Sequence, residues 1–283
     1  MANLNRTLLI ATYNIKKWFA NPRIYVIVIL LFFYVHFMES PIKIFSQNVH
    51  INLPPFLMPF LISSVYSGKI LLLLLILLFC DAPFTEEEYP YIIMRSGRKR
   101  WYLGQIFYIY IAAAFYTLLI GIITALVLIP NLELMSDWGK VINTFAQTGI
   151  ASQHGIVIPF DYAIIQSFSP IEAMGLQFIL CELIFAMFGK LMFLLNTLTS
   201  RAVGAVVATG VVFFQIFAEN ISPKLTYFSP ASWISLSFLS IDGTGRYPSL
   251  RYALIVLIIL NIVLAIASLR VVLKSDIKVL KNI

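Results

Sequence analysis

Two long apolar runs, residues 56–80 and 102–129, dominate the first half of the chain, and each is long enough to cross a bilayer as a helix. Neither alternates in polarity, so both read as helices rather than barrel strands. Further runs follow later in the chain. The composition agrees: 60% of the 283 residues are hydrophobic and 12% are charged. A soluble domain carries about twice that share of charge. The expected fold class is therefore an all-α membrane protein, and the composition excludes a disordered or ordinary soluble chain.

Six spans are expected, over residues 24–38, 55–80, 102–129, 170–198, 202–217 and 250–269. Residues 1–22 read as an amphipathic interfacial helix, with Leu4, Leu8, Ala11, Ile15 and Trp18 on one stripe and Asn21-Pro22 as the break. The N-terminus reads as retained, because its first apolar run of suitable length starts only after Arg23 and no small-residue cleavage site follows. Glu39, Pro41 and Lys43 are expected to end the first span. Residues 131–168 form a long polar connector that requires some structure of its own. Ser169-Pro170-Ile171-Glu172 has the pattern of a capping box, with Pro at the first helical position. Residues 228–239 (FSPASWISLSFL) are apolar but too short to cross, which marks residues 219–249 as a re-entrant or interfacial segment.

Charge sets the expected orientation. The formal net charge is +7. With the N-terminus inside, thirteen of the twenty Lys and Arg fall on the inner side and five on the outer, while Lys69 and Lys190 lie within spans. Both termini are then cytoplasmic. The basic residues hug the spans, so they read as topology signals and not as a nucleic-acid surface. The two cysteines, Cys80 and Cys181, lie at an inner span end and inside a span, and no structural disulfide is expected.

The most densely charged stretch is residues 81–101, DAPFTEEEYPYIIMRSGRKRW. Thr85 and Glu88 have capping-box spacing, and Glu86 and Glu87 suit a first helical turn. Pro90 interrupts a single helix. A short helix over 82–89 and a second from Pro90 to Arg95 are expected, with Gly97 ending the latter and Trp101 and Tyr102 anchoring the next span at the interface. A solvated loop would explain Arg98-Lys99-Arg100. It would not explain three glutamates beside Phe84, Tyr89, Tyr91 and Ile92, which together read as an exposed docking surface.

These features together resemble the permease subunits of ABC-2-type ATP-binding-cassette transporters. The resemblance covers the chain's architecture and is specific in the E-x-x-P-Y-I-I-x-R-S-G-R-x-x-W stretch from Glu87 to Trp101, which is similar to small permeases of Gram-positive bacteria. It implies one permease domain over residues 1–283 and a cytoplasmic coupling helix that docks on a separate ATPase through Phe84, Glu86, Glu87, Glu88, Tyr89, Tyr91 and Ile92. The tight turn at Arg201 would be a minor second contact. It also implies two permeases and two ATPases. No G-x-x-x-x-G-K-[ST] loop is present, so ATP and Mg would be handled by the partner and the chain itself would not be an enzyme.

Three ionisable residues fall inside spans: Lys69, Glu182 and Lys190. Such charges are costly in lipid, about 2.5–3.5 kcal/mol each on insertion scales, and are commonly paired or functional. Lys69 and Glu182 lie half-way down spans of the same direction and are expected to pair, either fixing helix register or lining a substrate path; Lys190 is expected to snorkel to the inner surface. The histidines lack zinc spacing, and Phe32 and His36 match an F-x-x-x-H pattern of intramembrane proteases whose E-E-x-x-x-R partner is missing. No catalytic or metal-binding residue is assigned. An alternative function is a non-transporting scaffold or immunity protein that binds an extracellular peptide through residues 131–168. A peptide, antibiotic or lipid cargo would suit the aliphatic and aromatic spans.

Overall fold

The computed structural model describes residues 2–84, 89–199, 201–241 and 245–274, with the backbone alone at 2–6, 89, 90 and 201. The described chain is mostly helical and contains no strand. Five helices are long and apolar enough to cross a membrane: α2 (Pro22–Val49), α6 (Arg98–Val127), α10 (Pro170–Leu198), α11 (Arg201–Ile221) and α12 (Leu250–Lys274), which identifies a multi-pass membrane protein. The remaining helices, numbered in the same chain order, are α1 (Ala2–Lys16), α3 (Met58–Ser63), α4 (Ser67–Phe79), α5 (Tyr89–Ser96), α7 (Gly139–Gln147), α8 (Ile150–Gln153) and α9 (Tyr162–Ser167). Central to the bundle is α10, which packs against α4, α6, α11 and α12. It starts at the expected capping box: the Ser169 N–H donates to Glu172 Oε2 at 2.9 Å, and the Glu172 N–H donates to Ser169 Oγ at 3.4 Å.

The expected second span is broken. Residues 64–66 separate α3 from α4, and α4 alone, at 13 residues, is too short to cross. Hydroxyls satisfy the break: Ser64 and Ser67 bond to each other, and Tyr34 and Ser67 share a bond of 2.7 Å. Conversely, the first span does not stop at Glu39. The α2 helix continues through Pro41 to Val49 and ends at His50, which takes a left-handed conformation. Pro41 deprives the Phe37 carbonyl of its helical donor. The adjacent Ser40 hydroxyl turns back onto the His36 carbonyl at 2.6 Å. Glu39 lies fully buried in this helix, and neither of its carboxylate oxygens has a hydrogen-bond partner among the described residues.

Residues 131–168 form a packed cap. Trp138, Phe145, Phe160 and Ile164 are buried within it, and aromatic contacts tie it to α2 through Phe45–Phe145 at 4.9 Å and to α3 through Phe60–Trp138 at 5.0 Å. The short apolar stretch 228–239 does enter the bundle. It does so as 3-10 turns, with Trp233, Ile234 and Leu236 buried. Several of its polar groups are met: Trp233 Nε1 donates to the Thr226 carbonyl at 2.7 Å, Gln177 Nε2 donates to the Ile234 carbonyl at 2.8 Å, and Ser235 bonds to Ser63 at 3.1 Å, while the buried Ser237 hydroxyl has no partner among the described residues. Irregular backbone at depth is tolerated only with such satisfaction.

The N-terminal helix is fastened to the bundle. Ala11, Thr7 and Asn14 are buried, and α1 packs along α6, while Leu8 and Leu9 stay exposed. Asn14 Nδ2 donates to Gln105 Oε1 at 2.7 Å and Trp18 Nε1 to the Tyr108 hydroxyl at 2.8 Å. Of the expected stripe, Ala11, Ile15 and Trp18 pack on the protein and Leu8 does not, while the side chain of Leu4 lies outside the described residues. Helix α1 packs on α6 with polar Thr7 and Asn14 among its buried residues, so its sequence lacks a single clean apolar face. Gly104 permits the close approach, because a Cβ there would lie 2.7 Å from Ile10 Cβ and 3.2 Å from the Thr7 carbonyl. Gly104→Val should lift α1 from α6. We expect a loss of about 1–3 kcal/mol, read as a lower melting temperature in detergent together with faster proteolysis near the N-terminus.

Candidate functional site

Lys69 and Glu219 form a buried ion pair. The Lys69 ammonium bonds to Glu219 Oε2 and to the Val65 carbonyl. Their side chains are 10% and 4% exposed. Gln215, one turn earlier on α11, donates from Nε2 to Glu219 Oε1 at 2.7 Å and so fixes the second carboxylate oxygen. The expected pairing of Lys69 with Glu182 is therefore corrected to Glu219. The cause is the break at 64–66, which places Lys69 in the first turn of α4, level with the C-terminal end of α11. Glu182 lies near the middle of α10 and makes no ion pair among the described residues. Glu219 itself escaped the sequence reading because α11 runs on to Ile221, past the expected end at 217.

Next to the pair the 3-10 turn at 232–234 comes close. A Cβ on Gly68 would lie 2.9 Å from Ile234 Cγ2 and 3.7 Å from Gln215 Nε2. Gly68 therefore lets α4, α11 and the 232–234 turn meet at one point. The opposite ends of α4 and α11 are joined as well. Asn196, fully buried near the end of α10, donates from Nδ2 to the Ala82 carbonyl at 2.8 Å and accepts from the Gly204 N–H at 2.7 Å. It clamps the root of the 81–101 connector to the first turn of α11. Asn196 carried no sequence signal beyond being a polar residue in an apolar helix.

Lys190 does not snorkel. It is completely buried, donating to the Tyr110 hydroxyl at 2.8 Å and to the Asn261 carbonyl at 3.3 Å, with its ammonium 4.4 Å from the Tyr110 ring centre. Asn261 is braced in turn by bonds from Nδ2 to the Leu183 and Leu257 carbonyls. Glu182 lies a little over two helical turns away on α10, with Oε2 buried and without a hydrogen-bond partner among the described residues. The two lysines expected in the spans thus belong to separate sites, Lys69 with Glu219 and Lys190 with Tyr110 and Asn261, and Glu182 pairs with neither.

In the connector, α5 runs from Tyr89 to Ser96 and ends at Gly97 with φ +81°, as the glycine stop predicts. The expected helix over 82–89 is not formed at 81–84, which make a turn, and Glu86, Glu87 and Glu88 lie outside the described residues. Tyr91 and Met94 are 67% and 66% exposed. Phe84, expected to be exposed, instead packs edge-on against Tyr108 at 4.7 Å, and Ile92 is partly buried against the core. An aromatic ring at that root finds more apolar contact in the bundle than in water. Trp101 and Tyr102, expected at the interface, are buried against Phe193. Arg98 Nη1 donates to the Leu273 carbonyl at 2.9 Å, tying the connector to the end of α12. The side chains of Tyr89 and Arg201 lie outside the described residues.

Among the described residues, no group of three or more His, Cys, Asp or Glu is placed to hold a metal ion, and Cys80 and Cys181 are free thiols. Comparisons with protein-family models, with curated proteins and with solved structures find no match.

Removing one partner of a buried ion pair strands the other charge, at a cost of about 3–5 kcal/mol, whereas replacing both by apolar residues is far milder. Lys69→Met and Glu219→Leu should each lower the melting temperature sharply, and the double variant should recover most of the loss. Lys69→Met with Glu182→Leu should show additive losses. A double-mutant thermal cycle on the purified chain reads both couplings.

Proposed function

We propose that the chain is the transmembrane permease subunit of an ABC-2-type transporter, exporting a hydrophobic or amphipathic substrate such as a peptide, antibiotic or lipid. The observation that carries this reading is the connector. A short helix, α5, projects Tyr91 and Met94 between α4 and α6, while its root is clamped through Asn196 to α11. Such a part transmits a push from outside the membrane to two membrane helices at once. The interfacial α1, the re-entrant turns before α12 and the tight α10–α11 junction accord with the same architecture.

In this reading the broken α3–α4 segment supplies a sixth crossing, the N- and C-termini are cytoplasmic by the basic-residue asymmetry, and the home of the protein is a bacterial plasma membrane. The chain hydrolyses nothing itself. ATP and Mg are bound by two copies of a partner ATPase, and a second permease copy or a homologous permease completes the path. Helices α4 and α11 flank that path, with Lys69–Glu219 holding their far ends together. Nucleic acid has no part in it.

A second reading, a scaffold or immunity protein that binds an extracellular peptide, is favoured by one feature. A groove of about 600 Å³ runs between the α2 residues Phe33, His36, Phe37 and Phe45 and His154 of the cap.

Purification of the tagged chain from its native membrane tests the choice. The permease reading expects a stoichiometric ATPase. Reversing Glu86, Glu87 and Glu88 to Lys together with Tyr91→Ala should cut its recovery by about tenfold or more, as loss of an interface hot spot does, while membrane levels of the chain hold. A chain that purifies alone and remains active rejects the permease.

A further inference from the structure

Glu39 is the only acidic residue of α2, and it stands on the helix's buried stripe. That stripe runs Leu31, Val35, Glu39, Ile42 and Ser46, the spacing of one helical face. Its other members are apolar except Ser46, whose hydroxyl is taken up by the Ile51 carbonyl. Glu39 is 0% exposed, and both carboxylate oxygens are buried without a hydrogen-bond partner among the described residues. Protein covers this helix: α2 packs against α3, α4, α6 and the 3-10 turn at 17–20, and through Phe45 against the cap.

The charged and titratable groups of those elements are engaged elsewhere. Helix α3 carries none. On α4 the one charge is Lys69, held by Glu219. On α6, Arg98, Lys99 and Arg100 stand in the first turn, and the tyrosines bond to other groups: Tyr102 to the Ala265 carbonyl, Tyr108 to Trp18, Tyr110 to Lys190 and Tyr116 to the Leu71 carbonyl. The 3-10 turn brings Lys17, whose ammonium lies over the Tyr13 ring. From the cap come His154, edge-on to Phe45, and Lys140, exposed on α7. Among the described residues none of these forms an ion pair or hydrogen bond with Glu39.

An ionised carboxylate with no partner is not sustained in an apolar interior; the group takes up a proton and stays neutral. The helix is also weakest beside Glu39. Pro41 leaves the Phe37 carbonyl without its helical donor, and the Ser40 hydroxyl bonds to the His36 carbonyl at 2.6 Å, both devices that bend helices. Residues 42–49 follow the bend, and Glu39 lies about 15 Å along the axis from their end. Within them Phe45 meets the rings of Phe145 and His154, each at 4.9 Å, so the cap holds this segment in place. We propose that Glu39 is a proton-binding site, whose carboxyl keeps one proton while α2 lies against the bundle and releases it when residues 42–49 swing away at Pro41 and water enters. The carboxyl O–H bond breaks, the proton passes to water and the electron pair stays on the carboxylate. The site is independent of whether the chain is a permease.

The full-length chain in lipid vesicles is compared with Glu39→Gln and Glu39→Met by infrared difference spectroscopy at neutral pH. The expected result is a protonated-carboxyl carbonyl band, shifted in heavy water, that both variants lack. Amide hydrogen exchange over residues 42–49 reads the opening. Between about pH 6 and pH 8, above the range in which an exposed glutamate titrates (about 4.3), exchange in the unaltered chain should rise about tenfold more per pH unit than in either variant, because the opened form has lost one proton. Glu39→Met fills the same space without a polar group and guards against misfolding of Glu39→Gln. Absence of the band overturns the proposal, as does the same pH response in all three chains. Loss of the band on adding sodium at fixed pH overturns the assignment to a proton. Loss of both signals in Glu182→Gln moves the proton to that residue and overturns the assignment to Glu39.

Discussion

A charge in hydrocarbon must be neutralised where it stands, and in this protein that requirement joins Lys69 to Glu219 across 150 residues of chain. Both side chains are nearly inaccessible, so neither can reach water without the helices parting. The pair fixes the start of α4 against the end of α11. Asn196 fixes the other ends, through Ala82 and Gly204. Two antiparallel helices tied at both ends move as one body unless a tie is released. Of the two ties, the ion pair is the harder to break in a low dielectric and the easier to break if water or a charged group enters, because either would solvate the separated ions.

The irregular parts cluster around the same tie. The break at 64–66, the 3-10 turns at 232–238 and Gly68 lie together, and each allows the others. Gly68 has no side chain because Ile234 occupies that space. Gln177 and Ser63 help the turns sit inside the bundle by bonding to the Ile234 carbonyl and the Ser235 hydroxyl. Substituting any one of these residues would strand a polar group or force two backbones apart. The broken helix is thus a property of the junction and not of residues 64–66 alone.

This explains what the sequence could and could not disclose. Long apolar helices, the Ser169 cap and the Gly97 stop are local, and each is visible in a short window. The short apolar stretch 228–239 was visible by its length. The break within residues 55–80 was not, since serine is common in apolar helices and hydropathy averages over a three-residue gap. The extension of α2 past Pro41 was hidden for the opposite reason: proline, glutamate and lysine in sequence resemble a loop, yet tertiary packing buries Glu39 and keeps the helix going. Partners of buried charges are the least legible of all. Depth along a span was the only available guide to pairing Lys69, and one unseen break shifted that depth enough to exchange Glu182 for Glu219. Lys190 defied the snorkelling rule because Tyr110 and Asn261 offered it a nearer set of acceptors than the headgroups.

The N-terminal helix shows the same limit in another form. A helix lying on a membrane should present one apolar face to lipid and one polar face to water. Helix α1 departs from that pattern, because α6 takes a share of its surface through Asn14, and the 3-10 turn after it packs on α6 through Trp18. Polar residues on its buried side, useless for lipid insertion, are what hold it to the bundle. Trp18 bonds to Tyr108, and Tyr108 in turn meets the ring of Phe84 at the connector root. The N-terminal segment and the connector root therefore share one aromatic residue, Tyr108, and a displacement of either shifts the packing of the other.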